Sequence, residues 1–155
     1  MRRALLRATI AGALLLLAAG TVAAAGDLYA EINRLRAGDG RCKSAQPLSP
    51  LEAVPALEQA AQALARGDTL EHSIAATGYR ATRSSYLSMS GDGVATNAAQ
   101  LIAERADCKA IMDPAFTDVG VHVEARELRV VAAAPFAPGV QMTQNDAGQI
   151  GRAHV

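Results

Sequence analysis

The chain has 155 residues, with 15 basic and 15 acidic side chains, three Tyr, two Phe and no Trp. That length fits one domain of ordinary size, and the core must come from Ala, Leu, Val and Ile. A chain without net positive charge or a basic stripe is excluded as a binder of nucleic acid through its phosphates.

The first segment has the three-part order of an export signal. Arg2, Arg3 and Arg7 are followed by an apolar run from Ala8 to Ala19, centred on Leu14–Leu17, and by the small residues Ala23, Ala24 and Ala25. Residues 1–25 therefore read as a cleaved signal peptide. The alternative, an uncleaved anchor, has a leucine-rich centre short of the ~20 strongly apolar residues that span a bilayer. The product is expected to be secreted or periplasmic, with no stable membrane span after cleavage. Removing the three arginines leaves 12 basic against 15 acidic side chains, a charge of −3. Cys42 and Cys108 both lie beyond the signal. An even pair in an oxidising compartment predicts a disulfide, since no His or further Cys stands at zinc-ligand spacing nearby.

Asp27 to Ala37 is predicted as a helix, with Leu28, Ile32 and Leu35 on one face and Glu31 and Arg34 toward water. Gly38-Asp39-Gly40 ends it, and Arg41 to Pro50 is a loop. A second helix starts at Pro55 and carries the stripe Leu57, Ala60, Ala61, Leu64 and Ala65. Gly67 stops it. Asp68, with Glu71 three residues on, is predicted to cap a short helix that Gly78 closes. Tyr79 to Ser90 suits a strand, and Asp92-Gly93 turns into a third helix with Val94, Ala98, Leu101 and Ile102 on its inner face. Cys108 follows it. Val119, Val121 and Val123, then Leu128, Val130 and Ala132, alternate around a turn near Arg126-Glu127, which predicts a two-stranded hairpin with one buried face. The class is α+β, an antiparallel sheet covered by helices.

In order and wording these segments resemble the bacterial branch of the CAP superfamily (cysteine-rich secretory, antigen five and pathogenesis-related proteins). Ile32-Asn33-Arg34-Leu35-Arg36 looks like the family's Asn-x-x-Arg start, and Pro55 to Ala63 is similar to its first core helix. Gly78-Tyr79-Arg80 looks like the Gly-Tyr before its central strand. Ile111 to Val121 closely resembles its Asn-Ile-Leu-x-Pro-x-Phe-x-x-Ile-Gly-Val segment. The resemblance implies a three-layer α-β-α sandwich over residues 26–138.

It also implies where a metal cleft would lie, and that the cleft is degenerate here. Complete members hold two His and one Glu, which together can ligate a divalent metal. The matching positions are Leu64, Tyr86 and Asp107. Leucine has no ligand atom, and a Tyr phenol is neutral at pH 7. The stretch between Gly67 and Gly78 is shortened, without the family's aromatic-Ser-His loop. His72 reads as a surface residue, His122 as a residue facing away from Val121 and Val123, and His154 as part of the tail. Ser84, Ser85, Ser88 and Ser90 form a polar strand face with no partnering His motif. Asp107 and Asp113 flank Cys108 as solvated acids, and Gly91-Asp92-Gly93 is a turn rather than a phosphate loop.

The expected function is thus an exported CAP-like binding or structural module. It has no catalytic residues, no metal and no cofactor, and its ligand is a small lipid, a peptide or a protein. The rivals are a metal-dependent hydrolase of the same fold and an inactive regulatory domain of a longer chain. Pro135 onward reads as loop, with a linker over residues 139–148. Ile150-Gly151-Arg152-Ala153-His154-Val155 followed by a stop is one reading frame of a short-read sequencing adapter, AGATCGGAAGAGCACACGTCTGA. Residues 149–155 are therefore expected to be adapter read-through, with the natural protein continuing elsewhere.

Overall fold

The computed structural model describes residues 19–136, 142–144 and 150–152, with side chains over 25–136. Most of the predicted signal peptide lies outside the described residues. The first helix, α1 (Ala19–Arg36), begins upstream of Asp27 and runs through the expected cleavage position. The cause is local: Ala23 to Ala25 are strong helix formers, and no breaker except Gly26 stands between them and Asp27. No described helix is long and apolar enough to cross a membrane.

The fold is α+β. After α1 come β1 (Glu52–Ala53), α2 (Pro55–Ala65), α3 (Leu70–Ala76), β2 (Ala81–Ser90), α4 (Val94–Arg105), α5 (Cys108–Ile111), β3 (Asp118–Glu124) and β4 (Glu127–Pro135). The four strands make one sheet in the order β1-β3-β4-β2. The expected β3–β4 hairpin is present, with Val121 opposite Val130 and Val123 opposite Leu128. β2 pairs antiparallel with β4, whereas β1 pairs parallel with β3. The sheet is therefore mixed rather than wholly antiparallel. β1 holds only two residues, too short a run to show a period of two.

The hairpin buries more than the one face expected of it. Val130, Ala132 and Ala134 belong to a cluster with α1, α4 and α5 residues, while Val131 and Ala133 join a second cluster with Leu57, Ala60, Ala61, Leu64 and Ile74. The unbroken apolar run from Val130 to Ala134 is the signature of a strand buried on both faces.

Helix α2 lies directly on the strands. Its small residues Ala60 and Ala61 are fully buried, and Ala63 is buried where Ala65 was expected. On β3 the contact point is Gly120: a Cβ there would stand 2.0 Å from the Leu57 carbonyl carbon and 2.2 Å from the Glu58 nitrogen. No residue with a side chain fits at that position without moving the helix backbone.

Three caps and ends differ from expectation. Thr69, not Asp68, caps α3, its hydroxyl accepting from the His72 N–H at 3.3 Å. Asp107 caps α5 by accepting from the Lys109 N–H at 3.0 Å, so Cys108 opens a helical turn rather than lying in coil. Beyond β4, Met142–Gln144 pairs antiparallel with Ile150–Arg152, where loop was expected. Thr143 and Ile150 are β-formers, a signal that the polarity of the segment masks.

Candidate functional site

The Asn-x-x-Arg segment at the end of α1 supplies two anchors. Asn33 holds the Leu51 peptide from both sides, donating to its carbonyl at 3.1 Å and accepting from its N–H at 2.8 Å. Arg36 is completely buried. Its Nε donates to the Ser49 carbonyl at 2.9 Å, Nη1 to those of Ile111 and of Asp113 (3.2 Å), and Nη2 to Phe116 at 3.2 Å. Burial pulls its pKa below the usual guanidinium value, and the nearby Asp113 carboxylate opposes that shift. The side chain thus joins α1 to the segment resembling the family's Asn-Ile-Leu-x-Pro motif. Periodicity did not single out Arg36 for burial; the Asn-x-x-Arg pattern was the available signal.

Cys42 and Cys108 lie at disulfide distance, with Cα atoms 5.5 Å apart. The bridge closes a 66-residue separation and ties the loop after α1 to the start of α5.

Two tyrosines make hydrogen bonds to residues distant in sequence. Tyr29 donates to Glu58 on α2 at 2.6 Å and accepts from the Val121 N–H at 3.2 Å. Tyr79 donates to Asp118 at 2.7 Å. Desolvation, and then the adjacent carboxylate, raise both phenol pKa values well above the ordinary tyrosine range. Both phenols stay protonated donors.

The three positions that the resemblance assigns to a cleft have different roles. Leu64 is buried in the α2 cluster. Tyr86 stands opposite Val131 on the edge strand β2 and is half exposed, at 49%. Asp107 is occupied in capping α5, whose Ala110 and Ile111 belong to the other cluster. Among the described residues, no three His, Cys, Asp or Glu side chains stand where they could hold one metal ion.

The remaining polar candidates have varied surroundings. His72 is exposed on α3. His122 shares a row with Arg129 and Ser88 across β3, β4 and β2. Its Nε2 lies 3.0 Å from Glu124 Oε1, and Arg129 Nη2 lies 3.2 Å from Glu127 Oε2. The buried His122 Nε2 and Glu127 Oε2 lack aligned hydrogen-bond partners, so both contacts are ion-pair distances without hydrogen-bond geometry. Asp113 pairs with Arg83 at 2.9 Å and accepts from the Ala115 N–H, while Asp107 caps α5. The two acids have separate partners and do not act as one pair. Ser84, Ser85, Ser88 and Ser90 lie along β2.

The described surface has a shallow groove between α3 and β2, with a volume of about 290 Å³. Ile74, Ala75, Tyr79 and Phe136 give it an apolar wall, and Glu71 and Arg80 provide opposite charges. The Arg80 guanidinium sits over the Phe136 ring, 5.1 Å from its centre. This arrangement, which Ser84 also lines, can take an apolar group with a polar end. Among known proteins, no family model, no curated protein and no solved structure matches this chain.

Proposed function

We propose that the chain is an exported, CAP-like binding or structural module without hydrolase activity, its helices enclosing the sheet in three α-β-α layers. One observation carries this reading: Leu64, Tyr86 and Asp107 each have a task other than ligation. A buried leucine fills core volume, an exposed tyrosine lies on a sheet edge, and an aspartate caps a helix. Metal-assisted hydrolysis needs ligands that converge on one open coordination site.

The CAP-like part of the proposal rests on residues whose structural work explains the motif. Asn33 and Arg36 anchor the end of α1, and Gly120 admits α2 against β3. Export agrees with the disulfide-distance pair Cys42 and Cys108. The ligand, a small lipid, a peptide or a protein segment, would bury its apolar part against Ile74, Tyr79 and Phe136 in the groove between α3 and β2.

Calorimetric titration with zinc tests the non-catalytic reading. The expected result is no stoichiometric binding. A chelator-reversible 1:1 affinity in the micromolar range or tighter, lost on Asp107→Ala or Tyr86→Phe, overturns it.

A further inference from the structure

The strand β2 forms an edge of the sheet, paired only with β4. It is ten residues long and contains no Pro, and its single charge, Arg83, is ion-paired with Asp113. Edges of this length are normally blunted by charges, proline or a bulge. The one irregularity here lies at the start of the strand, between Ala81 and Arg83.

The phase of the ladder shows which backbone groups are free. The Gly91 N–H donates to the Arg126 carbonyl at 2.9 Å, and the register is constant from Ser84 opposite Ala133 to Ser90 opposite Glu127. Because paired residues alternate in an antiparallel ladder, Ser85, Leu87 and Met89 direct their N–H and C=O groups toward β4. Those of Ser84, Tyr86, Ser88 and Ser90 point outward, and no hydrogen bond among the described residues uses them. Tyr86 is also the exposed large hydrophobic residue of the described surface.

We infer that this edge pairs antiparallel with β2 of a second copy of the chain, about a two-fold axis at Tyr86. The outward row reads Ser84, Tyr86, Ser88 and is its own complement when reversed. Tyr86 then meets Tyr86 of the second copy, and each Ser84 faces a Ser88. Each of these pairs exchanges two N–H···O=C bonds, since outward-pointing residues meet outward-pointing residues. Arg83 falls opposite Met89, so no like charges oppose each other. A closed two-fold interface consumes the β2 edge of both copies. A foreign extended peptide would satisfy the same backbone groups, but the neutral, reversible side-chain row favours self-pairing.

Sedimentation equilibrium of the purified, disulfide-intact protein tests this inference independently of any ligand. The native protein is expected to approach twice the monomer mass as concentration rises. Tyr86→Lys and Tyr86→Glu each place like charges opposite one another and should weaken self-association roughly tenfold or more. An equimolar mixture of the two variants should regain the dimer, which a variant that failed to fold could not do. A native protein that stays monomeric to about 100 μM, a concentration well above the micromolar range of specific pairs, overturns the inference. So does a dimer that neither substitution weakens.

Discussion

The two hydrophobic clusters that meet at β4 are built in different ways. The cluster around α2 is thin: Ala60, Ala61 and Ala133 fill much of it, and Gly120 lets the helix backbone touch the strand. The cluster around α1 is larger in its side chains, with Leu28, Ile32, Leu35, Ile102, Ile111 and Phe116. It is also stitched by Asn33, by the buried Arg36 and by Cys42 and Cys108. A close-packed helix–strand contact is sensitive to added volume, because backbone meets backbone. A cluster held by polar anchors is sensitive to their removal, because each lost donor leaves buried carbonyls unsatisfied.

The largest effect is expected on the anchored side. Arg36→Ala strips donors from the carbonyls of Ser49, Ile111, Asp113 and Phe116 and should destabilise the fold by roughly 3–5 kcal/mol. Urea unfolding reads this directly, and a loss below about 1 kcal/mol, the typical value of one ordinary hydrogen bond, would show that the guanidinium is not an anchor. Replacing Cys42 and Cys108 by Ser should cost roughly 4 kcal/mol, less any strain, for a loop of this length. Two free thiols in the exported, unreduced protein, counted by mass spectrometry, would rule that bridge out.

Gly120→Ala is the matching test on the α2 side. The added methyl must displace the α2 backbone, and the expected loss is about 3 kcal/mol, the upper part of the usual overpacking range. If the variant unfolds at the native denaturant midpoint, the helix is not in contact with the strand as described. Gly120→Ala and Arg36→Ala involve separate clusters, so their effects should add within about 0.5 kcal/mol.

The smallest effect concerns Tyr29, which packs against the α1 cluster while donating to Glu58 on α2. Its folded pKa is raised, so the folded chain retains a proton that the unfolded chain loses above pH 10. Unfolding then binds fewer protons than the native state, and stability falls as pH rises past that value. Tyr79, raised by burial and Asp118, acts in the same sense. Tyr29→Phe should flatten the alkaline limb of the stability–pH curve; an unchanged limb would remove this link between the clusters.

Legibility in the sequence followed the length and regularity of each pattern. The α2 stripe and the β3–β4 alternation were readable because the side-chain periods of 3.6 and 2 repeat several times. β1 was not, because two residues show no period; the second buried face of β4 was legible in the unbroken run Val130 to Ala134 but not in the alternation of Leu128, Val130 and Ala132. The disulfide partners followed from their number and from the expectation of export. Arg36 illustrates the opposite case: a charged residue at a helix end ordinarily belongs in water, and only carbonyls distant in sequence make its burial tolerable. For the candidate site, a resemblance of letters supplied three positions, but their surroundings depend on which cluster each element joins. That is a tertiary property with no local signature.

The proposal that Tyr86 and Asp107 do not form one metal cleft can be tested without disturbing the core. Tyr86→His puts an imidazole on an exposed position while Asp107 and the folded clusters stay as they are. If Tyr86 and Asp107 are held apart, calorimetric titration of this variant with zinc should show no stoichiometric binding. A 1:1, chelator-reversible micromolar affinity that disappears when Asp107→Ala is added would place the two residues in one cleft and contradict the account.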